Sequence, residues 1–160
     1  MKNITQTIVS VVNNEKPLNP FFAFRPDALR RSVQYFTNNF QGNILYAVKT
    51  NPEPHAVSIL HQEGIKCFDV ASIEEIKSVK TLLPEAKLYF MHPVKSRHAI
   101  REAYHTYGIR DFSLDSNEEL VKILEETGDA KDLSLYLRLS MPNTYAELNL
   151  GDKFGVNIKD

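Results

Sequence analysis

Residues 66–82 read KCFDVASIEEIKSVKTL, and two periodicities meet in this stretch at a serine. Residues 66–71 form a short run of apolar and β-favouring side chains, which reads as a strand. From residue 72 to 82 the apolar residues take helical spacing. Ser72 stands where a helix needs a side-chain oxygen for its free N–H groups, and Glu75 follows three residues later, the pattern of a capping box. Working outward, the same alternation recurs. Strand-like runs occupy 43–48, 87–91, 110–114 and 134–139. Helical spacing fills 27–39, 54–63, 96–107 and 116–127. Pro54 suits a first helical turn, Ser116 and Glu119 repeat the capping-box pattern, and Gly64, Gly108 and Gly128 stand where helices stop.

The order is one helix and then β-α-β-α-β-α-β-α-β, which implies a parallel sheet joined by right-handed crossovers. A repeat of roughly 20–25 residues suits either a doubly wound sheet or a (β/α)₈ barrel, and the pattern alone leaves both open. A dinucleotide-binding fold would place a glycine-rich loop after the first strand. Here that position reads Lys49-Thr50-Asn51-Pro52. A closed eight-stranded barrel takes about 250 residues. This 160-residue chain supplies strands for only part of one.

Composition narrows the class. Hydrophobic residues make up 42% and charged residues 24%, the balance of a globular protein. Net charge is −1, so no general attraction to nucleic acid or anionic membrane is expected. Arg30 and Arg31, the densest basic pair, read as a solvated helix face. Cys67 is the lone cysteine, which excludes an intramolecular disulfide, and its apolar neighbours make it a small core filler. The histidines show no metal-ligand spacing. No apolar run reaches membrane-spanning length, and the start of the chain, despite an apolar patch at 8–12, lacks a secretion signal. A cytoplasmic location is therefore expected.

Lys49, Asp69, His92, Asp115 and Arg138 stand at the carboxyl ends of the five predicted strands. In parallel α/β folds that edge is where ligands bind, because the βα loops converge there. Lys49 follows the apolar run Leu45-Tyr46-Ala47-Val48, so its stem leaves a buried strand. Taken alone it reads as a snorkelling surface lysine. A lysine in such a position is also the residue type that condenses with a carbonyl.

Tyr46-Ala47-Val48-Lys49-Thr50-Asn51 resembles the signature of the fold-type III pyridoxal-phosphate (PLP) decarboxylases, the ornithine/lysine/diaminopimelate decarboxylase family. Five further motifs follow in order: Phe68-Asp69-Val70-Ala71-Ser72 through Glu75, His92-Pro93-Val94-Lys95, Phe112-Ser113-Leu114-Asp115, Arg138 within Leu135–Leu139, and Lys153-Phe154-Gly155. The resemblance runs from about residue 20 to 155. It implies the N-terminal portion of an alanine-racemase-like (β/α)₈ TIM barrel, truncated. It divides the chain into 1–24, a segment that would pair with an absent C-terminal β-domain, and 25–160, a partial PLP-binding barrel. Lys49 is implied to carry PLP and move protons. Ala47, Asp69, Glu75 and Arg138 are implied to line the cofactor pocket, and Lys153 to support a homodimer interface.

Lys95 and Asp115 read as structural. His92 stands where the family usually has asparagine, and reads as a loop residue first and a ligand second. The implied activity is decarboxylation of a basic amino acid, ornithine or lysine, to a diamine by a parent protein, with this chain an inactive fragment. The alternatives are a racemase or PLP carrier on the same barrel, and a non-catalytic regulatory relative.

Overall fold

The computed structural model describes residues 7–141 and 153–157. Residues 1–6 of the N-terminal segment, and 142–152 and 158–160 of the partial barrel, lie outside it. After an N-terminal helix α1 (Ile8–Glu15) and α2 (Pro26–Asn39), strands and helices alternate: β1 (Leu45–Ala47), α3 (Pro54–Gln62), β2 (Cys67–Val70), α4 (Ile73–Leu82), β3 (Lys87–Phe90), α5 (Arg97–His105), β4 (Asp111–Leu114), α6 (Asn117–Thr127) and β5 (Ser134–Leu137).

All pairings are parallel, and the strands lie in the order β1-β2-β3-β4-β5. That order resolves the alternative left open by the periodicity. A doubly wound sheet reverses its strand order at a switch point, and no reversal occurs here. Right-handed crossovers that always step the same way put their helices on one face, as in a barrel wall.

The register assigns side chains to faces. Because successive strand residues alternate, Val70, Phe90, Phe112 and Leu135 form one row across β2–β5. The first three are fully buried, and they share the core with Ile76, Val79, Ile100 and Ile123 of the helices. The opposite face carries the row Ala47, Asp69, Tyr89, Asp111 and Ser134. This second face corresponds to a barrel lumen. It is polar: the Tyr136 hydroxyl donates to Asp111 Oδ1 at 2.9 Å, and Lys87 Nζ lies 3.5 Å from Asp111 Oδ2.

Local chemistry explains the helix starts. Ser72, Ser96 and Ser116 each accept a backbone N–H from three residues on, at 3.2 Å. Gly128 ends α6 in the left-handed conformation at φ 69°. The capping boxes form only on the serine side. Glu75 reaches back to the N–H of Ala71 instead of Ser72, and Glu119 is taken by Lys95.

Four expectations change. The first strand ends at Ala47, and Val48–Thr50 form a 3₁₀ turn that carries Lys49. Helix α1 was not anticipated, because Ile8, Val9, Val11 and Val12 are β-branched and weak helix formers. The Thr7 hydroxyl caps it. Arg30 is not on a freely solvated face, since it pairs with Glu63 and ties α2 to the end of α3. Cys67 is half-buried on the lumen face, in register with Lys87, and not in the core.

Candidate active site

The 3₁₀ turn after β1 lifts Lys49 out of the sheet at its carboxyl end. The loop beyond it is held from both sides: the Tyr46 hydroxyl donates to the Asn51 carbonyl at 3.2 Å, and Asn51 Oδ1 accepts the Glu53 N–H at 3.2 Å. Lys49 is exposed, and it lines a cavity of about 540 Å³ together with Asp69, His92, Arg138, Lys153 and Phe154. Ala71, Met91 and Pro93 complete the lining. The cavity therefore takes groups from the carboxyl ends of β1, β2, β3 and β5, and from a segment well beyond β5.

Asp69 is the acidic member of this group. Burial pushes its carboxyl group above the ordinary range, and the Glu75 carboxylate adds to that rise. Lys49 opposes the rise most strongly among its neighbours, followed by Arg138 and His92. Against this one carboxylate stand the cations Lys49, Arg138 and Lys153. Among the described residues, neither Arg138 nor Lys153 forms an ion pair with a carboxylate. The site thus carries excess positive charge and a primary amine.

The far wall is built by residues 153–157 returning to the sheet. Val156 donates its N–H to the Arg138 carbonyl at 2.9 Å, and Ser140 donates to the Val156 carbonyl at 2.9 Å. Gly155 donates to Asp115 Oδ2 at 2.9 Å. Phe154 then sits beneath the Arg138 guanidinium, 5.2 Å from the ring centroid. Lys153 Nζ lies 5.6 Å from the same ring, and the His92 ring meets it edge-on at 5.6 Å.

Beneath the rim, Lys95 is wholly buried. Its Nζ lies 2.9 Å from the His92 carbonyl, 2.5 Å from the Ser113 carbonyl and 3.0 Å from Glu119 Oε1. All three ammonium protons are thereby engaged, so Lys95 joins the ends of β3 and β4 to α6 and has no proton free for the cavity. Burial lowers its pKa, with the Glu119 carboxylate opposing. His92 Nδ1 lies 2.6 Å from the Val94 carbonyl, closing the turn at the end of β3.

The structure brings together Lys49, Asp69 and Arg138, and it adds Lys153 to the same cavity. It does not bring Ala47 or Glu75 to that wall. Ala47 is in register with Asp69, yet it lines an apolar cleft of about 280 Å³ between α2 and β1. Glu75 is committed to the Ala71 N–H at 2.9 Å, where it fixes the loop after β2. Phe154 had drawn no role from the sequence. Its signal lay in its place within Lys153-Phe154-Gly155, but its contacts with Arg138 and His92 join residues distant in the chain.

Residues 27–160 match the family described as pyridoxal-dependent decarboxylase, pyridoxal binding domain. An ornithine decarboxylase of Panagrellus redivivus is 37% identical over 110 residues, covering 69% of this chain and 24% of the relative. A lysine/ornithine decarboxylase of Selenomonas ruminantium is 27% identical over 143 residues, covering 88% of this chain and 35% of the relative. The crystal structure of the Paramecium bursaria Chlorella virus arginine decarboxylase bound to agmatine superposes with a TM-score of 0.83 at 27% identity, over 95% of this chain and 41% of that one. The chain thus spans about a quarter to a third of these curated relatives. On the family match over residues 27–160, with Lys49 and its companions gathered at one sheet edge, the chain belongs to the family of pyridoxal-binding domains of pyridoxal-dependent decarboxylases.

Proposed function

We propose that this protein serves the PLP-dependent decarboxylation of a basic amino acid, ornithine or lysine, and that Lys49 is the residue to which the cofactor attaches. One observation carries the reading: the Lys49 amine shares its cavity with Asp69, Arg138 and Lys153. That donor set fits the cofactor. A primary amine suits an aldehyde, and surplus positive charge suits a phosphate-bearing ring. When bound, PLP supplies an electron-withdrawing ring that stabilises negative charge at the carbon losing carbon dioxide.

The remaining work falls to side chains of this chain. Lys49 Nζ offers the attachment point and can hold or release a proton. Asp69 faces Lys49 and offsets its charge. Arg138 supplies a positive field for an anion, and Lys95 fixes the turn that carries His92. Lys153 also stands available for a contact across a homodimer interface, and residues 1–24 for pairing with a β-domain. Support for the substrate class comes from relatives named as ornithine and lysine/ornithine decarboxylases. Lys49 is exposed, so water reaches its amine and is not excluded as such chemistry requires. The 160-residue chain by itself is therefore expected to bind PLP without turnover.

The test is to mix the chain with PLP, reduce with borohydride, digest and locate the label. Enrichment at Lys49, abolished in Lys49→Arg, is the expected result. Label spread evenly over the lysines would sink the cofactor assignment. A natural full-length protein that binds PLP yet releases no carbon dioxide from ornithine or lysine would sink the substrate assignment.

A further inference from the structure

We propose that Phe154 is a positioning residue of this site: its ring collects the Arg138 guanidinium, the Lys153 ammonium and the His92 imidazole around the cavity that Lys49 lines, and the Asp115–Gly155 contact fixes the ring there. The inference rests on the reading of that cavity as the cofactor site.

Three of the ring's neighbours are cations or potential cations. The Arg138 guanidinium lies 5.2 Å from the ring centroid and Lys153 Nζ lies 5.6 Å from it, both within the range over which an aromatic face attracts positive charge. The His92 ring stands at 73° to it with centroids 5.6 Å apart, the T-shaped arrangement that aromatic pairs favour. Among the described residues Arg138 and Lys153 form no ion pair with a carboxylate, Arg138 feeling Asp69 only across the cavity, so the aromatic face is a group of opposite polarity that both approach. Both side chains are exposed. Without a partner they would sample many rotamers, and ordering them would weaken the binding of any anion. A neutral ring restrains them without cancelling the charge that an anion needs.

The placement of the ring is over-determined. The Val156 N–H and carbonyl pair with Arg138 and Ser140 at the end of β5, each at 2.9 Å. The Gly155 N–H binds Asp115 Oδ2 at 2.9 Å, at the end of β4. Two strand ends therefore hold one aromatic side chain in the cavity wall. Asp115, a strand-end carboxylate that lines no part of the cavity, has a use as the latch of this segment.

The test compares Phe154→Leu, which keeps an apolar side chain without the ring, with Phe154→Tyr, which keeps the ring. Two quantities are read on the chain: the order of the Arg138 Nε–H group by ¹⁵N relaxation, without cofactor, and the affinity for PLP by absorbance titration. Melting temperatures check that both variants are folded. Phe154→Leu is expected to loosen Arg138 and to weaken PLP binding roughly tenfold, with Phe154→Tyr restoring both. Asp115→Ala is expected to reproduce the leucine result by releasing the segment, which provides a second route should the leucine variant unfold. Unchanged Arg138 order in Phe154→Leu, or a tyrosine variant as impaired as the leucine one, overturns the proposal. If no label enters Lys49 while Arg138 still loosens, the cofactor reading fails and the positioning role stands. If label enters and Arg138 does not loosen, the reverse holds.

Discussion

Asp69 shows how a single side chain can serve a site at the expense of the fold. Burial raises its pKa above the ordinary value of 3.8, with Lys49 opposing. An acid whose folded-state pKa exceeds its unfolded value binds more protons when folded. Its contribution to stability is therefore complete below the ordinary value and is lost as pH rises through the folded value. Asp69→Asn is expected to melt no lower than the parent at pH 7, with the difference closing as pH falls below the carboxylate range. The same variant should bind PLP more weakly, because Lys49 loses its counter-charge. A thermal melt series across pH, beside a PLP titration, checks both signs.

Lys95 and Glu119 pose the complementary case of two charges buried together, 3.0 Å apart. Removing one partner of a buried pair costs about 3–5 kcal/mol when the other is left without a counter-charge. Glu119→Ala does this to Lys95 and should reach that range in urea denaturation. Lys95→Met should cost less, because Glu119 Oε2 keeps Lys122 at 2.5 Å.

At the scale of elements, the departures from the expected capping boxes follow from what surrounds each helix start. Ser72 and Ser116 cap as their positions require, since that bond needs only local backbone. The glutamates that should complete the boxes instead satisfy an N–H in the preceding loop and a buried ammonium. Tertiary partners with greater need have won over local ones. The segment 153–157 depends on its neighbours in a different way. Gly155 holds φ at +102°, and a Cβ there would lie 2.6 Å from the Ser140 amide nitrogen and 2.8 Å from the Leu139 carbonyl carbon. Gly155→Ala is expected to cost at least about 1–2 kcal/mol from the backbone conformation alone. Because the clash is with backbone, the segment should detach. Faster amide exchange at Ser140 and Val156, with weakened PLP binding, would be the sign. Unchanged protection at both amides would show that the segment tolerates the methyl group.

For the molecule as a whole, the governing feature is a sheet whose helix-facing side is filled as far as β4 and thins at β5. Leu114 is buried, whereas Leu137, its neighbour in register, is 59% exposed. Leu135 and Leu139 are exposed too, so the last strand presents apolar side chains beside a sheet edge. Such an edge promotes association. Leu137→Lys is expected to weaken concentration-dependent self-association of the chain by about tenfold or more, the scale of burying one leucine. Sedimentation velocity over a range of concentrations reads it, and an unchanged profile would place the contact elsewhere.

Much of this was legible in the sequence because it is local. Short apolar, β-favouring runs followed by runs of helical spacing, several opened by a serine cap, dictate βα units wherever they occur, since a strand favours such side chains and a helix must satisfy its first N–H groups. Lys49 could be singled out because it follows an apolar strand within a recognisable motif. The periodicity could not choose between a doubly wound sheet and a barrel wall, because both use the same unit, and the barrel was implied only by the motif resemblance. The strand order, a property of how units stack, decides between them on physical grounds and agrees with the resemblance. Nor could the sequence show α1, whose β-branched residues read against a helix, or turn Cys67 away from the core, since which face is buried depends on the helices that cover it. The cavity follows the same rule. The amino-acid sequence determined its amine, its carboxylate and its cations one strand end at a time. Phe154 entered only when residues 153–157 folded back onto β5 and Asp115, because hydrogen bonds between distant parts of the chain, and not any spacing along it, bring that ring to Arg138.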